Sequence, residues 1–132
     1  MIHVEQGYRT INWGLEDDKT VILHRCVIAS SVLWTGFVDE EPACMWGLVP
    51  PTLLSDSAYL WLLITDLVKD HQFAFVRHSQ IEIEKMLEVY PLIVGHCDRR
   101  NPASVRWLKW LGAVFDTSQG PLMPFSIVRK NG

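Results

Sequence analysis

The run from His96 to Phe115 constrains the fold of this chain more than any other stretch. An apolar segment ends in His96-Cys97-Asp98, Asn101-Pro102 follows, a segment of helical period runs to Leu111, and Gly112 precedes Ala113-Val114-Phe115. Asn101 carries the side-chain acceptor that satisfies free amides at a helix start. Pro102 falls at the first helical position, where a missing N–H costs nothing. Gly112 accepts the left-handed conformation in which many helices end. The spacing predicts a strand over 92–97, a helix over 102–111 and a strand at 113–115.

Upstream, Ile2 and Val4 alternate with polar neighbours as in a short edge strand, and Gly7 and Asn12-Trp13-Gly14 interrupt longer elements. Glu16-Asp17-Asp18 suits the positive end of a helix dipole, and the recurrence of Val21, Ile22, Cys26 and Ala29, broadened by Leu23, Val27 and Ile28, predicts a helix over 16–31 with that stripe inward. Two apolar runs, 32–38 and 43–49, flank the polar turn 39–42 and read as a hairpin. Pro50-Pro51 ends it. The near-continuous apolar run 58–65 predicts a central strand covered on both faces. A helix is expected over 71–90, with Val76, Ile83, Leu87 and Tyr90 facing the core and Pro91 stopping it. A last strand is expected over 125–128.

A length of 132 residues, 48% of them apolar, predicts one domain over 1–132, with 1–15 an uncertain or incomplete first element. No apolar run has membrane-spanning length, and the first residues lack the pattern of a signal peptide. Cys26, Cys44 and Cys97 are unclustered, which points away from a metal site and towards a reducing compartment such as the cytoplasm. A net charge of −3 gives no general case for nucleic acid. Arg99, Arg100, Arg106 and Lys109 make the last helix basic, either as a solvated face or as a rim for an anion.

In order and spacing these elements resemble the GNAT N-acetyltransferase superfamily, in which an Asn opens the last helix, a small residue follows one turn on, and a Gly closes it before an apolar strand. Asn101, Ser104, Gly112 and Val114-Phe115 occupy those places. With Gly36-Phe37-Val38-Asp39, Pro42-Ala43-Cys44-Met45, Tyr59-Leu60-Trp61-Leu62-Leu63, Thr65-Asp66 and Arg77-His78, the chain is most similar to small GNAT-like proteins of tailed bacteriophages. The resemblance implies an α/β fold with a single mixed sheet flanked by helices. It also implies acetyl-CoA as co-substrate, an acyl site between the 58–65 and 92–97 strands, and a place in the host cytoplasm or the virion. It puts the cofactor against Leu67, Val68, Lys69, His71, Arg77 and Asn101.

Two departures accompany it. The stretch 66–73, where the family has a glycine-rich loop for pyrophosphate, contains no glycine. Leu67, Val68 and Phe73 are expected to crowd phosphates and Asp66 and Asp70 to repel them, offset by Lys69, His71 and Arg77. The family's proton-donating Tyr falls at Leu108. Candidates for a general base are Glu41, Asp66 and His96, with Asp66, just after the central strand, the leading catalytic residue; its other expected role is capping the next helix. His96 also reads as a structural strand residue, and Tyr59 as packing. Cys97 cannot form a relay with His96 and Asp98, because adjacent strand residues face opposite ways. Trp107 and Trp110 read either as core or as an exposed aromatic-basic patch for a phage or host protein. The functions expected are an atypical or degenerate acetyl-CoA-dependent N-acetyltransferase, or a non-enzymatic virion-assembly or host-interaction protein.

Overall fold

A computed structural model of the chain describes residues 1–8, 13, 15–52, 54–118 and 120–129. Its elements run β1 (Ile2–Gln6), α1 (Asp17–Ala29), β2 (Val32–Val38), β3 (Glu41–Val49), β4 (Ser57–Ile64), α2 (Gln72–Met86), β5 (Leu92–Asp98), α3 (Pro102–Trp110), β6 (Val114–Phe115) and β7 (Leu122–Val128). They form one mixed sheet in the order β1-β2-β3-β4-β5-β7-β6. β4 and β5 are its parallel pair; the other neighbours are antiparallel.

The first residues do complete the sheet. β1 pairs along β2 from Ile2↔Val38 to Gln6↔Trp34. Asn12 and Gly14, expected to interrupt this region, lie outside the described residues.

Side-chain alternation sorts the layers. Cys44, Trp46 and Leu48 of β3, Ala58 and Leu60 of β4, and Ile93 and Cys97 of β5 belong to the buried core with Phe75, Val76 and Ile83 of α2 and Trp107 and Leu108 of α3. The opposite parity faces α1, where Trp61 donates its indole N–H to Ser30 Oγ at 2.8 Å. One sheet face therefore carries α2 and α3, the other α1.

α1 packs less deeply than its sequence predicts. Leu23 is its buried residue, while Val21, Ile22 and Ile28 are 50%, 58% and 84% exposed. The helix touches the sheet along one narrow line, so the broad apolar stripe is mostly outward.

Other boundaries shift for physical reasons. The hairpin turn is two residues, Asp39-Glu40, both at positive φ, so β3 begins earlier than expected. This primed geometry matches strand twist. Pro42 is accommodated by a bulge between Gly36 and Phe37, which leaves Ala43 unpaired with β2. α2 ends at Met86, before the expected 90. Glu88 and Val89 amides bond back three residues, the Tyr90 amide bonds back to Met86, and Pro91 has no amide with which to continue the helix. β7 begins at Leu122, because Pro124, placed opposite His96, tolerates a strand conformation.

Candidate active site

The parallel ladder between β4 and β5 has three rungs, Ser57↔Leu92, Ala58↔Ile93 and Tyr59↔Val94. Beyond them β4 stays with β3 out to Ile64, while β5 stays with β7 out to Asp98. The two strands therefore part into a V, and their facing backbone edges lose their sheet partners. The Leu60 carbonyl still faces Gly95 across the gap, 2.7 Å from where a Cβ would stand. A cavity of about 160 Å³ fills the opening. Leu60 and Leu62 line it from β4, His96, Cys97 and Asp98 from β5, and Asn101, Ser104 and Leu108 from α3. That is room for a slender extended chain.

α3 borders this cavity because its sequence starts it there. Asn101 Oδ1 accepts from the Ser104 amide at 3.2 Å, Pro102 occupies the first turn, and Gly112 sits at φ +95° just past the end. Asn101→Ala removes a cap worth about 1 kcal/mol, expected to lower the melting temperature by about 4 °C in a thermal melt. The Arg100 guanidinium hydrogen-bonds Asp98 and holds its carboxyl down at about 2.

The stretch expected to meet phosphates takes a form its composition did not suggest. Residues Asp66–Val68 make a short 3-10 turn. Val68 is 1% exposed and Leu67 packs against the core, so their bulk points inward, not onto the rim. This corrects the expected crowding by those two residues. Phe73, by contrast, is 69% exposed and meets Trp110 edge-on, with ring centroids 6.2 Å apart. α2 begins at Gln72 with His71 in the cap position and no side-chain bond to the first-turn amides. Those amides, on a 15-residue helix, are a favourable place for an anionic group. Gln72 Nε2 also donates to the Ala103 carbonyl at 2.7 Å, tying the starts of α2 and α3 together beside the cavity.

The predicted site residues separate. Asn101 borders the cavity. Asp66, the expected base, is outside its lining: its carboxylate is almost fully exposed, 3.7 Å from Lys69 Nζ, and it caps no helix. Lys69 faces solvent. Arg77 lies on the outer side of α2 in a groove with Phe73 and Trp110. The Trp107–Trp110 patch is also corrected. Trp107 is 1% exposed, with its indole N–H on Ser79 Oγ at 2.9 Å, and only Trp110 reaches the surface. Leu108 is buried against the cavity and offers no proton. Cys97 is buried and its thiol is pushed up by burial and by Asp98, while His96 faces the other way.

Sequence reasoning missed one pairing. Tyr59 Oη and His96 Nδ1 are 3.2 Å apart across the apex of the V, with ring centroids at 5.9 Å. Burial pushes the phenol above its usual range, Cys26 adds to this, and the His96 backbone works against it. The sequence signal was the shared strand parity of 59 and 96, but pairing them requires the register of two strands 37 residues apart.

Among the described residues no three His, Cys, Asp or Glu side chains gather as a metal site, and no helix is long and apolar enough to cross a membrane. No family model and no curated protein matches the chain. Solved structures do. A Bacillus subtilis acetyltransferase in complex with CoA superposes with a TM-score of 0.70 at 11% identity, covering 98% of this chain and 100% of that one. A GNAT-family acetyltransferase from Streptococcus pneumoniae gives 0.68 at 10%, covering 98% and 100%. The Escherichia coli ribosomal-protein-S18-alanine N-acetyltransferase gives 0.59 at 12%, covering 100% and 97%. Likeness at such identities is likeness of fold, and it agrees with the parted strands: the chain has the GNAT acyltransferase fold, a seven-stranded mixed sheet flanked by three helices.

Proposed function

We propose that this chain is an atypical N-acyltransferase that moves an acetyl group from acetyl-CoA to a primary amine. The observation that carries this reading is the cavity in the V beyond the Tyr59↔Val94 rung, bordered by Asn101. Structures similar in fold include one held with CoA and others named for a ribosomal-protein alanine and for spermidine, which makes a primary amine the class to try first. When bound, acetyl-CoA supplies an activated carbonyl and a departing thiolate. The first-turn amides of α2, with His71 and Lys69 nearby, receive the anionic end. The unpartnered β4 edge beyond Tyr59 hydrogen-bonds an extended arm as a further strand would, and Asn101 shapes its passage.

The test is a thermal melt with acetyl-CoA. At one hundred times its dissociation constant a ligand of the folded state adds about 2.7 kcal/mol, a rise of about 10 °C for a chain of this size. A melting temperature that stays flat to millimolar acetyl-CoA removes the reading.

A second reading is favoured by Leu108 in the proton-donor position and the glycine-free stretch 66–73. On that reading the fold is kept for binding, and the chain serves a phage or host protein, in the virion or the cytoplasm. Indifference to acetyl-CoA together with a stable protein partner is its expected result.

A further inference from the structure

We propose that His96, oriented by Tyr59, is the base that deprotonates the acceptor amine in this chain. The inference rests on the transferase reading above and supplies the proton acceptor that reading lacks. It starts from the place of the pair. Tyr59 is the last β4 residue in the parallel ladder and His96 lies on β5 just past it, so their contact bridges the strands where the backbone ceases to. His96 is exposed on the α1 face, yet it also lines the cavity that opens towards α2 and α3. It therefore borders both sides of the sheet at the one place where β4 and β5 part. A thioester entering from the helix starts of α2 and α3, and an amine approaching from the α1 face, would meet there.

The hydrogen bond admits either ring tautomer, and a base at Nε2 requires the one with the proton on Nδ1. With Nδ1 carrying the proton and donating it to the Tyr59 oxygen, Nε2 keeps a free lone pair. A phenol raised by burial stays protonated and neutral, so Tyr59 holds the ring without competing for the amine's proton. His96 Nε2 takes one proton from the substrate ammonium and passes it to solvent. The neutral amine nitrogen then forms a C–N bond at the acyl carbonyl as the C–S bond breaks, and His96 Nε2 takes the second proton from that nitrogen and gives it to the departing sulfur. One proton is released to solvent overall, no electron changes hands, and Leu108 takes no part. The other groups near His96 do not compete: Asp98 is engaged by Arg100, and Cys97 turns to the opposite face.

The experiment combines nitrogen NMR of the imidazoles with His96→Gln and Tyr59→Phe, using acetyl-CoA and a pooled panel of primary amines. Neutral His96 is expected as the Nδ1–H tautomer. His96→Gln should keep its melting rise with acetyl-CoA while transfer falls at least about 100-fold, the scale of a lost general base. Tyr59→Phe should lose about tenfold in transfer and shift the tautomer balance, which a purely packing role for Tyr59 would leave alone. An Nε2–H tautomer overturns the proposal, as does His96→Gln transferring within threefold of the unaltered chain. An unaltered chain that binds acetyl-CoA but transfers to no amine retires His96 as a base. One that shows no melting rise at all retires the transferase reading with it, so the two failures are told apart.

Discussion

Replacing Trp107 by alanine is expected to lower the unfolding free energy by about 4 kcal/mol and the melting temperature by about 14 °C. Among the described residues Trp107 is the largest fully buried side chain, 1% exposed, on the inner side of α3. It meets Trp46 of β3, Leu60 and Leu62 of β4, and Ser79 and Ile83 of α2 around a seam too tight to hold water. Alanine leaves a void there that this packed surround cannot close, and the lost contacts add to the lost burial. The indole also donates to Ser79 Oγ, whose own proton goes to the Val76 carbonyl at 2.8 Å. Removing the ring strands no polar atom, because Ser79 keeps its acceptor. Removing Ser79 instead leaves the indole N–H buried and unpaired, so Ser79→Ala should cost about 1–3 kcal/mol despite its small size. Trp107→Phe, which keeps most of the ring volume, should fall between. Denaturant unfolding of the three variants measures this. A Trp107→Ala loss under about 1 kcal/mol would mean that α3 is not fastened to α2 through this residue.

The same residue marks the limit of what the chain discloses as a string. Its helix was legible because every cue is local: Asn101 reaches Ser104 three residues away, and Gly112 takes positive φ without help from elsewhere. Which of Trp107 and Trp110 faces the core was not legible, since that depends on where α2 lies. The order of strands followed from alternating apolar runs, but the two-residue turn at Asp39-Glu40 did not. Both residues adopt left-handed conformations that the hairpin twist imposes against their preference. Asn101, legible from its cap position, borders the cavity, whereas Asp66, favoured for following the central strand, faces solvent. The V itself has no local signature. It arises because β4 follows β3 and β5 follows β7 after three shared rungs, and a register between strands more than thirty residues apart leaves no mark on either one. Tyr59 and His96 were each read alone for that reason, one as packing and one as a base candidate or a structural histidine.

Gly95 should prove the most sensitive position in the cleft. It sits one residue past the last rung, and a Cβ there would stand 2.5 Å from Phe125 Cζ and 2.7 Å from the Leu60 carbonyl oxygen. The phenyl ring can swing, but the carbonyl belongs to β4 and yields only if the strand moves. Gly95→Ala therefore forces the V open from its apex, at a cost of about 2–3 kcal/mol, the upper end for overpacking. The strain is steric and not conformational, since Gly95 does not occupy the left-handed region. The ligand consequence is larger than the stability consequence. The backbone edges that would grip an extended acyl arm are set at a spacing that Gly95 permits, and Tyr59 reaches His96 only while the apex stays narrow. The melting rise with acetyl-CoA should disappear in Gly95→Ala even under conditions where the variant is fully folded. Gly120→Ala is the control: nothing lies within 4 Å of its added carbon and its φ is ordinary, so stability and ligand response should be unchanged within about 0.5 kcal/mol. If Gly95→Ala melts and responds like Gly120→Ala, the strands at the apex are not fixed at that spacing, and the cleft cannot be the rigid slot that the proposed acyl transfer requires.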